Sequence, residues 1–136
     1  MDLKQEQGVA NQERKITRPC ENFYQEVAGK IVNILGQDYQ FLIDVNGKTR
    51  ELNAAGLCEF LSKEIVVDDF KSEVGDLKNI EEYRKRTIRH EIIHAFLYES
   101  GLNANSSWAR NEEMIDFFAI QLPKIVKAMK EVGCLE

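Results

Sequence analysis

The residues best suited to chemistry lie together in His90-Glu91-Ile92-Ile93-His94, which has the pattern HExxH. Residues four apart share one face of a helix, so both imidazoles can reach a single metal ion. Glu91 lies about 100° around the helix from His90, where it can hold a water at the metal without being a ligand. These two histidines are the only ones in the chain. The pattern therefore predicts a zinc site with Glu91 as the general base.

A catalytic zinc takes three protein ligands and keeps one position open for water or substrate. Glu112 and Asp116 are four residues apart, so they share a face of the next predicted helix beside its apolar stripe. We predict that Glu112 is the third ligand and that Asp116 accepts a hydrogen bond from the free ring N–H of a ligand histidine. Glu113, one residue further round the helix, remains the alternative ligand.

Two helices must position these groups. Asn79 is predicted to cap a helix that starts at Ile80, and the helical pattern then runs without Gly or Pro as far as Ser100-Gly101. A polar loop is predicted over residues 103–107. The second helix begins near Asn111, and Pro123 is expected to kink or end it before a final helical segment at 124–132.

The first half of the chain has the character of a sheet. Alternating apolar residues at 39–45 predict a half-buried strand after the short apolar run at 31–35, and Asn46-Gly47 predicts a turn. Residues 56–60 and 64–70 predict a second pair of strands. A sheet of three or four strands followed by helices is typical of the α+β class.

Charge and composition exclude some functions. The formal net charge of -5 argues against broad binding to nucleic acid. The basic cluster Arg84, Lys85, Arg86 and Arg89 is predicted to be a solvated helix face, with Lys85 paired to Glu81 and Arg86 paired to Glu82, four residues earlier in each case.

The 136 residues fit one domain, and the polar residues 1–20 predict a flexible N-terminal tail. No apolar run is long enough for a membrane span, and the N-terminus has no secretory signal. The three cysteines, Cys20, Cys58 and Cys134, are widely spaced and odd in number, which disfavours a disulfide framework. We therefore expect a cytoplasmic protein that has no membrane partner.

HExxH followed by Glu112-Glu113-Met114-Ile115-Asp116 resembles the HExxH…ExxxD signature of gluzincin-type metallopeptidases. Residues 112–123 are also similar to the second motif helix of ImmA/IrrE-type peptidases, and residues 87–102 resemble small metallopeptidase-like proteins of phages and mobile elements. The resemblance is sharp over residues 80–125. It implies that residues 21–136 form a minimal zincin-like domain, with zinc as cofactor and a protein or peptide as substrate. SprT-like proteins typically use a third histidine, which this chain lacks.

Two functions follow as hypotheses. The first is zinc-dependent hydrolysis of peptide bonds in a protein substrate, which by analogy with the family would be an intracellular regulator. The second is a non-catalytic zinc-binding or interaction module with the same fold. The donor that stabilises the transition state is left unassigned among Tyr83, Thr87, Tyr98, Trp108 and Arg110. If the chain is a peptidase, we expect an edge strand within residues 56–70 to bind the substrate.

Overall fold

The computed structural model describes residues 25–69 and 79–136. In chain order the elements are β1 (Ile31–Ile34), β2 (Gln37–Asp44), α1 (Lys48–Glu51), β3 (Gly56–Glu59), β4 (Glu64–Asp68), α2 (Ile80–Glu99), α3 (Leu102–Asn105), a 3-10 turn (Trp108–Arg110) and α4 (Glu112–Glu131). The predicted tail at residues 1–20 lies outside the described residues, as does Phe70 at the end of the last predicted strand.

The four strands form one mixed sheet in the order β1-β2-β4-β3. β1 and β2 are antiparallel, β2 and β4 are parallel, and β4 and β3 are antiparallel. Leu35 and Gly36 join β1 to β2 with φ angles of 48° and 92°, the two positive values that a two-residue type I′ turn requires. A mixed sheet in the first half, followed by the two long helices α2 and α4, confirms the predicted α+β class.

The core lies between the sheet and α2. The period-two pattern of β2 places Tyr39 and Phe41 on the buried face, where they meet Ile65 and Val67 of β4. Helix α2 covers this face with apolar residues spaced along one side, namely Ile80, Ile88 and Ala95. The sheet therefore serves as the platform on which the predicted active-site helix rests.

Both long helices begin with an asparagine cap, Asn79 as predicted and Asn111 at the predicted start of the second helix. The Asn79 side chain accepts a hydrogen bond from the backbone N–H of Glu82 at 3.2 Å, and the Asn111 side chain accepts one from Met114 at 2.9 Å. Helix α2 ends at Glu99, and Gly101 two residues later has a φ of 84°, the left-handed conformation expected after a helix. The two ends of the predicted active-site helix are thus set by local sequence.

Two local predictions need correction. Pro123 does not end its helix, because α4 continues through it to Glu131. The segment predicted as a polar loop at 103–107 contains the last residues of α3 and leads into the 3-10 turn. Among the described residues, no helix is both long enough and apolar enough to cross a membrane.

Candidate metal centre

The two histidines of α2 converge as the helical spacing predicts. His90 Nε2 and His94 Nε2 lie 3.1 Å apart, and the planes of the two rings meet at 61°. Both side chains are mostly covered, with 19% and 17% exposed. Burial lowers the pKa of His94, although the nearby charge of Glu112 opposes the shift. A lowered pKa keeps the ring neutral, the form in which imidazole binds metal ions.

Helix α4 brings a carboxylate to the same point. Glu112, the first residue of α4, places Oε2 3.1 Å from His90 Nε2 and Oε1 3.2 Å from His94 Nε2. Within the described residues, the cluster with metal-ligand geometry consists of His90, His94 and Glu112. The alternative ligand, Glu113, is exposed and does not belong to this cluster. The geometry therefore favours Glu112 over Glu113.

Asp116 lies one turn further along α4, on the other side of the His90 ring. Its Oδ1 is 2.8 Å from His90 Nδ1. A carboxylate there accepts the Nδ1–H, which fixes the tautomer and leaves the Nε2 lone pair directed at Glu112 and His94. The sequence predicted this placement for one of the two histidines, and the structure shows that it is His90.

The donor set fits a zinc ion. Ligand atoms bonded to tetrahedral zinc lie roughly 3.3 Å from one another, since each bond is about 2.0–2.2 Å long. His90 Nε2 and His94 Nε2 are 3.1 Å apart, close to that value, and each lies 3.1–3.2 Å from a different carboxylate oxygen of Glu112. Two imidazole nitrogens and one carboxylate oxygen also form a common donor set of catalytic zinc sites.

Glu91 lies beside these groups with its side chain turned toward the sheet. It is 6% exposed, and burial, followed by the charge of Glu112, raises its pKa to about 8 from 4.5. Within residues 25–69 and 79–136, no hydrogen bond to its carboxyl group compensates for this burial. A divalent cation held by the three clustered groups would lower the pKa again, because it stabilises the charged form.

Gly56 allows α2 to approach the sheet at this point. A Cβ atom on Gly56 would lie 3.0 Å from Glu91 Cγ and 3.1 Å from Thr87 Cγ2. Its φ angle is not in the left-handed region, so close approach, not backbone conformation, is the reason for glycine. Sequence reasoning missed this role. A glycine opening a predicted strand was the available signal.

A cavity of about 700 Å³ opens over the cluster. Its walls include the three clustered residues, Glu91 and the start of β3. Three of the five unassigned donor candidates, Tyr83, Thr87 and Arg110, line it, and so does Arg86. The other two do not line it: Tyr98 stacks on Phe60 with ring centres 4.1 Å apart, and Trp108 is 53% exposed.

The basic cluster is not the solvated helix face that the sequence predicted. Arg84 is 4% exposed and donates to the carbonyl of Asp69 at 2.6 Å. The predicted Lys85–Glu81 pair forms at 3.0 Å, but Glu82 binds Arg89 instead of Arg86. Arg86 packs over the Tyr83 ring, 4.9 Å from its centre. Ion-pair spacing alone could not distinguish these partners, since Arg86 and Arg89 both lie within two turns of Glu82.

Comparisons with protein-family models, curated proteins and solved structures found no match to this chain.

Proposed function

We propose that this protein hydrolyses peptide bonds in a protein substrate with a zinc ion held by His90, His94 and Glu112. The observation that carries the proposal is the convergence of these three side chains at 3.1–3.2 Å beside the buried Glu91. An ordinary structural ion pair would account for one histidine and one carboxylate. It gives no reason for two imidazoles to meet the same carboxylate while a third group orients one of them.

The chemistry divides between the metal and Glu91. When bound, zinc would act as a Lewis acid, which would polarise the scissile carbonyl and make water a better nucleophile at neutral pH. Glu91 accepts the proton of the attacking water and then donates it to the leaving amine. His90 and His94 hold the ion, and Asp116 keeps the His90 ring in the tautomer that this requires.

The edge of the sheet offers a place for the substrate. In the part of the chain that the structure describes, β3 is an edge strand whose residues Gly56, Leu57 and Cys58 line the cavity, and β4 lies between β2 and β3. Of the predicted edge at 56–70, β3 alone therefore has this position. An extended peptide that added to β3 would form main-chain hydrogen bonds and pass beside Glu91 and the metal ligands.

The transition state needs a donor near the developing oxyanion. Tyr83, Arg86 and Arg110 line the cavity with groups of the required kind. Thr87 is less suited, because its hydroxyl already donates to the Tyr83 carbonyl at 2.9 Å. The proposed setting is the cytoplasm and the proposed substrate class is a regulatory protein, both as the family resemblance implies.

The second candidate is a non-catalytic zinc-binding module with a zincin-like fold. A structural zinc site fills four positions with protein ligands. The described residues bring three ligands together, and Asp116, a possible fourth, contacts the far nitrogen of His90 instead. This arrangement favours a site with an open position, and hence the enzyme.

Metal analysis with matched variants tests the zinc site. The purified protein should bind one zinc ion, and His90→Ala should lose it. Glu112→Gln should weaken zinc binding by 10-fold or more, whereas Glu113→Gln should leave it unchanged, since only Glu112 reaches the histidines. Full zinc content in His90→Ala, or equal loss in the two glutamate variants, would contradict the ligand assignment.

Hydrolysis needs a separate test. The zinc-loaded protein is incubated with a mixed peptide library, cleavage is read by mass spectrometry, and chelator-treated protein is the control. We expect cleavage that depends on zinc. A protein that binds one zinc ion through His90, His94 and Glu112 yet cleaves no peptide would instead support the zinc-binding module.

A further inference from the structure

Pro123 lies in the interior of α4 and creates an unusual gap in its backbone hydrogen bonding. In an α-helix the N–H of residue 123 would donate to the carbonyl of residue 119, but proline has no N–H. Ala119 is fully buried, so water does not replace the missing donor. A buried carbonyl in this position needs another partner.

Arg89 supplies that partner from the other helix. Its Nε donates to the Ala119 carbonyl oxygen at 2.6 Å. The second arm of the guanidinium binds Glu82 at 2.8 Å, and the side chain is only 20% exposed. The planar fork of arginine suits this double contact, because two N–H groups point in fixed directions. The guanidinium is thereby held between its own helix and α4.

This contact lies next to the candidate metal centre. Arg89 directly precedes His90 on α2, and Ala119 follows Asp116 by three residues on α4. Two consecutive residues of α2 thus bind positions one turn apart on α4, Arg89 to Ala119 and His90 to Asp116. Glu112 is the only metal ligand that α4 would supply, so its distance from the histidines depends on how α4 is held against α2.

We propose that Arg89 is a positioning residue that uses the carbonyl freed by Pro123 to fix α4, so that Glu112 and Asp116 meet the histidines. The claim that this positioning supports zinc binding rests on the proposed function. The claim that Arg89 joins α2 to α4 does not depend on it. The competing account is that Arg89 serves only the surface ion pair with Glu82.

The test is a double-mutant cycle of Arg89→Met and Pro123→Ala, measured both as zinc affinity and as stability of the zinc-free protein in denaturant. Arg89→Met should weaken zinc binding about 10-fold, which is typical for loss of a group that supports metal ligands. Pro123→Ala restores an N–H for the Ala119 carbonyl. In that background Arg89→Met should cost twofold or less in zinc affinity, and its effect on stability should shrink as well.

Glu82→Gln is the matched control. It removes the ion pair with Arg89 but leaves the bond to Ala119, so zinc affinity should change less than twofold. If Glu82→Gln weakens zinc binding as much as Arg89→Met does, the surface ion pair is responsible and the proposal is overturned. Unchanged zinc affinity in a destabilised Arg89→Met protein would also overturn it, since Arg89 would then only support the fold.

Two further outcomes keep the test decisive. If Arg89→Met does not fold, Arg89→Lys replaces it, since lysine keeps the charge but lacks the fork that reaches both partners. The expected loss of zinc affinity is then about threefold and is again suppressed by Pro123→Ala. If the wild-type protein binds no zinc, the proposed function fails, while the stability cycle still decides whether Arg89 and Pro123 are coupled. Additive effects on stability would reject the coupling.

Discussion

Helix α2 carries two glutamates with little exposure to solvent, eight residues apart, and their surroundings differ sharply. Glu99 accepts a hydrogen bond from the Tyr39 hydroxyl at 2.6 Å and forms an ion pair with Lys63. Those two contacts hold the pKa of Glu99 below its usual range, with Lys63 as the larger cause. Glu91 has no such donors among the described residues, and burial raises its pKa to about 8.

The contacts of Glu99 explain its position as a structural carboxylate. The contacts of Glu91 do not explain why a carboxyl group is buried there. Glu99 joins the C-terminal end of α2 to the sheet, and its partners compensate for its burial. Glu91 faces the cavity with no such partner among the described residues, and its burial disfavours the charged form. Strongly shifted groups in a cavity are typical of functional sites. The comparison therefore gives Glu99 a stabilising role and supports the role proposed for Glu91.

The largest expected effect is on hydrolysis in Glu91→Gln. Loss of a general base lowers the rate by a factor on the order of 10²–10⁴, so kcat should fall by that much in a steady-state peptide assay. Zinc content should not change, because Glu91 is not a ligand. The free energy of unfolding should stay the same or rise, since a neutral amide replaces a buried acid.

Glu99→Gln is the matched control for this variant, because it makes the same chemical change on the same helix. It should retain hydrolysis while losing stability. If the two variants lost activity equally, the distinction between the glutamates would be wrong.

Gly56→Ala is expected to disturb Glu91 and leave Glu99 untouched. The added methyl would lie 3.0 Å from Glu91 Cγ, so the carboxylate must move or β3 must shift away. A misplaced base lowers kcat on the order of 10-fold, and overpacking costs about 1–3 kcal/mol of stability. Thr87→Ser removes the methyl that would lie 3.1 Å away, so the double variant should recover part of both losses. No recovery would mean that crowding beside Thr87 does not cause the effect.

Glu99→Gln should reduce the free energy of unfolding by about 1–2 kcal/mol at neutral pH, since bonds to a charged group are stronger than neutral ones. Because the pKa of Glu99 is lowered in the folded protein, its contribution is present above the unfolded value near 4.5 and is lost as the pH falls through the lower folded value. Denaturant titrations of both proteins from pH 7 to pH 2 should therefore converge at the acid end. A constant difference would show that packing, not charge, is responsible.

The sequence predicted most of the candidate centre, because the geometry is local. The positions of His90, Glu91 and His94 on one face follow from the period of a helix, and the caps Asn79 and Asn111 set the two helices. The prediction that they bind zinc stays a prediction. The features that the sequence did not indicate depend on contacts between separate helices and strands. The continuation of α4 through Pro123 is one example, because Arg89 on another helix takes over the carbonyl that proline leaves without a donor.

The smallest expected effect uses Cys58 as a reporter placed near both glutamates. Burial, followed by the charges of Glu91 and then Glu99, raises the pKa of its thiol to about 12. At pH 9 both carboxyl groups are ionised, so removing either charge should increase the thiolate fraction and speed alkylation several-fold, more in Glu91→Gln than in Glu99→Gln. Mass spectrometry of the zinc-free protein gives the alkylation rate at Cys58, with the exposed Cys134 as internal reference.

Equal acceleration at both cysteines would indicate general loosening of the fold. Acceleration confined to Cys58, and larger in Glu91→Gln than in Glu99→Gln, is the result expected from the charges. If Glu99→Gln speeded alkylation of Cys58 more than Glu91→Gln did, Glu99 would carry the charge with the larger effect on the thiol. That result would contradict the comparison between the two glutamates.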